Sequence, residues 1–354
     1  MLNAINLLFF KKDKIQLNHL KIGIKIMALD ISTKELRENF KKYYDENLAE
    51  EVDKMNKKRS FYFSTIFYSF IGIVITNLLL ASFIQDEDLI PAIVVGSVIL
   101  FISETVILAF KIKEKLKSSE LLEKFIKYFD GFQFKTPYNG VIIKDYDYYI
   151  NDITMSRSKI VDHYDKVETD DEIFGNYKGV NLMISEKNLL VENMVVVTDS
   201  NGHIRTEKVI EYVFNGIMIL IDMNKAFKDQ IIIKNKKMFN NFSKGAKEII
   251  KLEDPEFTKL FDVYSNDQIE SRYVLTTGFI DRFKELIKIF KTKQIRASFF
   301  DNRLFITIYS TRNMFEFGGL FSKVDYETVL SVLDDILGVL KIVEVLKLND
   351  KIGL

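Results

Sequence analysis

The sequence predicts an α+β protein: an N-terminal two-span transmembrane helical hairpin with cytosolic helical extensions, then a soluble mixed α/β cytosolic domain with mainly antiparallel strands. Three observations predict it. Two long apolar runs are separated by four polar residues, helix-period stripes flank them, and a later block of short Val-, Ile-, Tyr- and Phe-rich runs is punctuated by turn residues.

The first run, Phe61 to Ile84, carries no charge, and the second, Leu89 to Phe110, carries only Glu104. Each exceeds the roughly 20 residues a helix needs to cross about 30 Å of hydrocarbon. Only Gln85, Asp86, Glu87 and Asp88 connect them, so the helices are expected to be antiparallel neighbours. Lys54, Lys57, Lys58 and Arg59 precede the first run and Lys111, Lys113, Lys115 and Lys117 follow the second, while the connection is acidic. That asymmetry predicts a multi-pass protein of the cell membrane with both termini cytosolic and the turn outside. The start, Met1 to Phe10, is too short and too poor in basic residues for a signal peptide. Met27 as the true start is one expectation for the first residues, and a short amphipathic surface anchor is the other.

The predicted segments are 1–30 as an uncertain extension, 31–60 as an amphipathic helix, 61–84 and 89–110 as spans and 85–88 as an external turn. The rest are 111–131 as a cytosolic helical extension and 132–354 as the α+β domain. Ser32 and Glu35 form a capping box that opens the first helix. Leu36, Phe40, Tyr43, Tyr44, Leu48, Val52 and Met55 then recur at helical spacing without Pro or Gly, so the helix should run unbroken from about 33 to 84. Ile112, Leu116, Leu122, Phe125, Ile126 and Phe129 make a matching stripe up to a stop at Asp130 and Gly131. Two such stripes on antiparallel helices are expected to bury each other as a projecting stalk, or to form an oligomer seam.

Within the spans, Glu104 is the polar residue to explain. It lies level with Phe67 and Tyr68, so Tyr68 is its candidate partner; the alternatives are reaching the nearby interface or lining an ion path. Asn77 is too deep to partner it.

In the domain, strands are expected at Tyr138–Ile143, Gly179–Ser185, Leu190–Thr198, Glu207–Val213, Gly216–Asp222 and Gln230–Lys234, with a hairpin turn at Asp199 to Gly202. A helical section follows. Asp254 caps a helix with Pro255 at its first position, Ser265 and Gln268 make a second capping box, and Thr276 or Thr277 opens a third helix. Ile295–Phe300 and Leu304–Tyr309 form a hairpin around Asp301 and Asn302, and an amphipathic helix from about Tyr326 to Leu346 ends the pattern.

Composition removes several classes of chemistry. With no Cys and only three His, thiol nucleophiles, thiolate metal sites and a His-rich centre are excluded, and no cofactor or metal is expected. Fifty basic and fifty acidic residues cancel, and the aromatics fall at core spacing, so nucleic acid is not an expected partner. The acidic stretch around Asp162, His163, Asp165, Glu168, Asp170, Asp171 and Glu172 offers oxygen ligands but no calcium-loop spacing, and is expected to be a solvated loop. Glu253, Asp254, Glu256, Asp267, Glu270 and Arg272 offer a carboxylate pair for acid and base work, although caps and local ion pairs explain them too.

The runs Tyr164 to Glu186 (YDKVETDDEIFGNYKGVNLMISE), Phe214 to Phe227 (FNGIMILIDMNKAF) and Leu252 to Thr276 (LEDPEFTKLFDVYSNDQIESRYVLT) resemble the bacterial membrane family called domain of unknown function 3137. The resemblance extends from about residue 33 onward, with Thr277 standing where that family tends to carry Pro. It implies the same architecture and no assigned reaction. It also marks Asp222, Asn224, Lys225, Glu253, Asp254, Asp267, Gln268, Glu270 and Arg272 as candidates for a shared polar site, beside Glu104 and Tyr68 in the spans. The expected function is a membrane-anchored module binding a protein or ligand. The alternatives are an enzyme using carboxylates of the LEDPEF and SNDQIE segments, or a small oligomeric channel component. Expected partners are the lipid bilayer and, beyond it, a second copy or another protein.

Overall fold

Ser32 opens the first described helix as its capping box predicts: its hydroxyl accepts from the Glu35 N–H at 3.2 Å, and α1 spans Thr33–Tyr43. The computed structural model describes residues 31–83, 89–117, 120–137, 149–198, 204–223, 227–236, 248–319 and 321–348. One π-helical turn, Tyr44–Leu48, carries α1 without a stop into α2, Ala49–Phe83. Helix α3 spans Leu89–Lys117 and α4 spans Glu120–Ile126, so the described helix ends short of the expected stop. Gly131 closes the following turn at a φ of 79°.

Helices α2 and α3 are long and apolar enough to cross a membrane, and only 6% of each apolar window is buried. Two side-chain bonds pin them together. The Asn77 amide donates to the Ser97 hydroxyl at 2.8 Å, and the Ser69 hydroxyl donates to the Glu104 carboxylate. Ser69 therefore takes the place expected for Tyr68, whose side chain is exposed. Successive residues on a helix are rotated by about 100°, so Ser69 points at α3 while Phe67 and Tyr68 point away.

The sheet follows. Its strands are β1 (Gln133–Lys135), β2 (Lys166–Tyr177), β3 (Val180–Thr198), β4 (Ile204–Asp222), β5 (Ile231–Asn235), β6 (Glu248–Ile249), β7 (Phe261–Ser265), β8 (Ile295–Phe300) and β9 (Arg303–Tyr309). They form one sheet in the order β1-β2-β3-β4-β9-β8-β5-β7-β6, antiparallel at every pairing. Asp301 and Asn302 turn the β8–β9 hairpin with φ of 49° and 60°, a left-handed conformation Asp and Asn tolerate better than most residues. Between strands lie α5 (Asp152–Ser158), α6 (Pro255–Leu260), α7 (Gln268–Val274) and α8 (Thr277–Ile289), and α9 (Tyr326–Val345) follows β9.

Alternation divides the sheet cleanly. Leu182, Ile184, Ile217, Ile219, Ile221, Leu304, Ile306 and Ile308 face one core, together with α8 and α9, while Met183, Met218, Leu220 and Phe305 face a smaller core with Met155 of α5 and Ile160 after it.

Four expectations are corrected. The helical extensions do not form a free stalk: Phe40 is fully buried against Phe125, Tyr128 and Tyr326, and Leu36, Phe40, Leu48, Leu122 and Phe125 share one core with the sheet and α9. The two stripes do meet, through Phe40 and Phe125, but α9 packs against the same face through Tyr326, so the contact is part of the domain core. The strands expected at 179–185 and 190–198 are one strand, as are those at 207–213 and 216–222. A bulge at Leu189/Leu190 absorbs the break in pattern, and Gly216, at φ 150°, lets β4 pass where a Cβ would lie 2.2 Å from the Ile308 carbonyl oxygen. The acidic stretch is not a solvated loop beyond Asp165: it becomes β2, with Asp171 and Glu172 buried. The helical section also contains β7, and Asp267, not Ser265, caps α7. The expected strand at 138–143, the turn at 199–202, the external turn 85–88 and the extension 1–30 lie outside the described residues.

Candidate functional site

The polar segments singled out in the sequence are used mainly to hold backbone. Asp254 caps α6, accepting from the Phe257 N–H at 2.8 Å, and takes a second bond from the Lys284 ammonium at 2.8 Å. The Lys284 bond, with the cap bond behind it, lowers the Asp254 carboxyl below the ordinary carboxylate range. Asp267 caps α7 through the Glu270 N–H at 2.8 Å, and the Glu270 carboxylate in turn accepts from the N–H groups of Lys228 and Asp229, both at 3.0 Å. Gln268 donates to Glu248 at 3.1 Å, whereas Glu253 and Arg272 are exposed. Asp222 ends β4, 4.0 Å from the Arg303 guanidinium and 3.4 Å from the Asn181 amide. Asn224 and Lys225 lie outside the described residues.

Two other places gather chemistry. A cleft of about 480 Å³ opens between the end of α8, the end of β9 and α9, lined among others by Phe290, Lys291, Tyr309, Arg312, Ser331 and Asp335. Burial pushes the Asp335 carboxyl up, opposed by the Arg312 guanidinium bonded to it. None of the polar residues singled out in the sequence lines this cleft. The available signal was an Asp inside the apolar stripe of α9, between Leu333 and Ile336. At the second place Asp170, Asp171 and Glu186 bring carboxylate oxygens within 4.8 Å of one another, the kind of ligand a hard divalent cation takes. Lys113 at the end of α3 already stands there, 3.1 Å from both Asp170 and Glu316, and the Met314 N–H donates to Glu186 at 2.8 Å. The sequence held Asp170 and Asp171 in view but not Glu186, which pairing of β2 with β3 brings beside them.

The second face of the sheet carries a polar row that no linear spacing displays. Strand register aligns Glu172, Ser185, Thr307 and Arg296 in one row across five strands, interrupted only by the apolar Met218 on β4. Lys135 lies 2.5 Å from Glu172, and Tyr149 donates to the same oxygen at 2.8 Å. At the other end Arg296 donates to the Ile160 carbonyl at 2.7 Å and to Asp162 at 2.8 Å, fastening the segment after α5 to the sheet. Lys187 and Lys234 are buried on this face, and burial lowers both, Lys234 to about 7. Lys135→Met removes the counter-charge of a buried carboxylate that Tyr149 still bonds. The expected loss is about 1–2 kcal/mol of unfolding free energy, measured in urea, with recovery in the Lys135→Met/Glu172→Leu double variant.

The fold and these sites define a mixed α+β protein with two long apolar helices ahead of one antiparallel sheet. Residues 212–348 match the family model described as a protein of unknown function (DUF3137), and the chain resembles that family over this stretch. The match contains the Phe214–Phe227 and Leu252–Thr276 motifs, but not Tyr164–Glu186. No curated protein matches the chain. The crystal structure of the mycobacterial trehalose monomycolate transport factor A, TtfA, aligns at 9% identity over 46% of this chain and 75% of that one, with a TM-score of 0.23, too low to imply a shared fold.

Proposed function

We propose that this chain is a multi-pass protein of a bacterial inner membrane, spanning it twice, with the sheet domain and both termini in the cytosol. The domain acts as a non-enzymatic module that binds a protein or a small ligand. The observation that carries the membrane assignment is exposure: Phe61 is 70% exposed and Leu100 68%, within helices whose apolar windows are only 6% buried among the described residues. Each such side chain left in water forgoes about 1.5–3 kcal/mol, which lipid supplies. The basic flanks and the acidic connection support the orientation. Because Asp254, Asp267 and Glu270 hold caps and loops, a binding role is favoured over acid–base catalysis at those segments. The bond from Ser69 to Glu104 favours a structural cross-link between the spans over an ion path.

The chain has no native Cys, so single-cysteine labelling tests the orientation directly. An impermeant maleimide should label Asp86→Cys on intact spheroplasts and Lys34→Cys only after lysis; the reverse pattern overturns the orientation. For the binding role, a stoichiometric partner recovered from detergent extracts should be lost with Lys291→Glu at the cleft. Recovery of no partner or ligand counts against the binding role.

A further inference from the structure

Beyond Leu190 on β3 and its partner Tyr212 on β4, the sheet narrows to a two-stranded arm with no flanking strand among the described residues. Val191–Thr198 alone extends about 27 Å. A hairpin of two strands is marginal in water unless something covers a face. One face of this arm is wholly exposed and carries Met194, Val196, Ile204, Ile210 and Tyr212, with Met194 at 73% and Ile204 at 74% exposure. Its two charges, Glu192 and Lys208, pair with each other at 2.6 Å, so the face is neutral. The opposite face carries Arg205, Glu207 and Glu211 together with Asn193 and the shorter side chains Val191, Val195, Val197 and Val209.

The place of the arm follows from two ties along β2. At one end Tyr177 donates to the Ile31 carbonyl and to Glu344, which also binds Thr33 at the start of α1. Further back along the strand, at the irregularity between Thr169 and Glu172, Asp170 meets Lys113. The bonds from Ser69 to Glu104 and Asn77 to Ser97 set α2 and α3 in a register that puts Lys113 level with about Ser60, where the apolar run begins. Thr33 lies about 40 Å along the helix from that level. Strand β3, antiparallel to β2, thus runs from the far end of the helices toward the apolar segments, and the arm continues in that sense. Its open backbone edges bar it from hydrocarbon, where unsatisfied N–H and C=O groups are prohibitive. The bulge at Leu189/Leu190 lies at its root, where a strand bends.

We infer that the arm lies on the bilayer that holds the spans, its Met194, Val196, Ile204, Ile210 and Tyr212 face seated at the boundary of headgroups and acyl chains. The inference rests on the membrane assignment above and extends the lipid-facing surface of α2 and α3 onto the sheet. Tyr at the edge and aliphatic residues along the face suit that depth.

The test uses the full chain in phosphatidylcholine–phosphatidylglycerol vesicles with an environment-sensitive fluorophore on single cysteines. Labels at Met194→Cys and Ile210→Cys should be quenched by nitroxide lipids and shielded from aqueous iodide, with Glu207→Cys showing the reverse. Equal iodide quenching of Met194→Cys and Glu207→Cys overturns the inference. So does shielding that disappears on dilution to one chain per vesicle, which assigns the face to a second copy. Labels at Leu79→Cys and Ile99→Cys separate the two levels. If they sense lipid while the arm does not, only the arm inference falls; if iodide reaches them, the membrane assignment falls with it.

Discussion

Phe40→Ala lowers the unfolding free energy of the sheet domain by about 3–5 kcal/mol, read as the loss of sheet circular dichroism in urea with the full chain in mild detergent. The size follows from the packing. Phe40 is 0% exposed, with ring centroids 6.1 Å from Phe125, 5.2 Å from Tyr128 and 6.4 Å from Tyr326. Truncation removes a whole ring from a site bounded by α1, α4 and α9, three elements that cannot collapse together without breaking Arg37–Asp334 at 2.7 Å and the bond from Tyr128 to the Leu36 carbonyl. A free stalk would melt without disturbing the sheet. An unchanged sheet midpoint would therefore show that the helix ahead of the apolar runs is not part of the domain core.

The second large effect concerns Glu344 and carries a pH signature. Its carboxylate accepts from the Thr33 N–H at 3.1 Å, the Thr33 hydroxyl at 2.7 Å, the Tyr177 hydroxyl at 2.6 Å and the Lys178 ammonium at 3.0 Å. It joins the last helix, the first helix and the β2–β3 hairpin. Burial alone would push this carboxyl up, but the bonds from Tyr177, Thr33 and Lys178 outweigh it and bring it down to about 2. A carboxyl depressed in the folded state binds fewer protons than in the unfolded chain, so its contribution is complete above the unfolded value of about 4.3 and is lost as pH falls through about 2. Glu344→Gln should cost about 2–3 kcal/mol at neutral pH. It should also flatten the stability profile between about pH 4 and pH 2 relative to the parent chain. Parallel acid profiles for the two would sink the assignment of this charge.

Both effects concern contacts between residues far apart in sequence, up to 311 positions for Thr33 and Glu344, and that explains which parts of the protein were legible beforehand. The paired apolar helices, the Ser32, Asp254 and Thr276 caps and the Asp301–Asn302 hairpin were all readable because their physics is local: period, cap and turn chemistry act within a few residues. The β2 strand was not. Its acidic letters signal solvent, and only the Lys135 ammonium, the Tyr149 hydroxyl and the neighbouring β3 make Glu172 tolerable in a buried place. The candidate sites divide the same way. The carboxylates of the LEDPEF and SNDQIE segments were visible as polar motifs, yet their capping bonds, not a shared cleft, are what the fold makes of Asp254 and Asp267. The cleft beside Asp335 and the grouping of Asp170, Asp171 and Glu186 arise from elements that meet only in three dimensions.

The sequence by itself determined that this protein has two apolar helices in tandem, an antiparallel α+β domain after them and no thiol or His-rich chemistry, because composition and periodicity are properties of short windows. Tertiary structure alone decided that the leading helix belongs to the sheet domain's core and not to a separate stalk. An amphipathic stripe states how much apolar surface must be buried but not against what. Here α4, α9 and the sheet cover it together, and Glu344 ties the start of the first helix to the last helix and the β2–β3 hairpin.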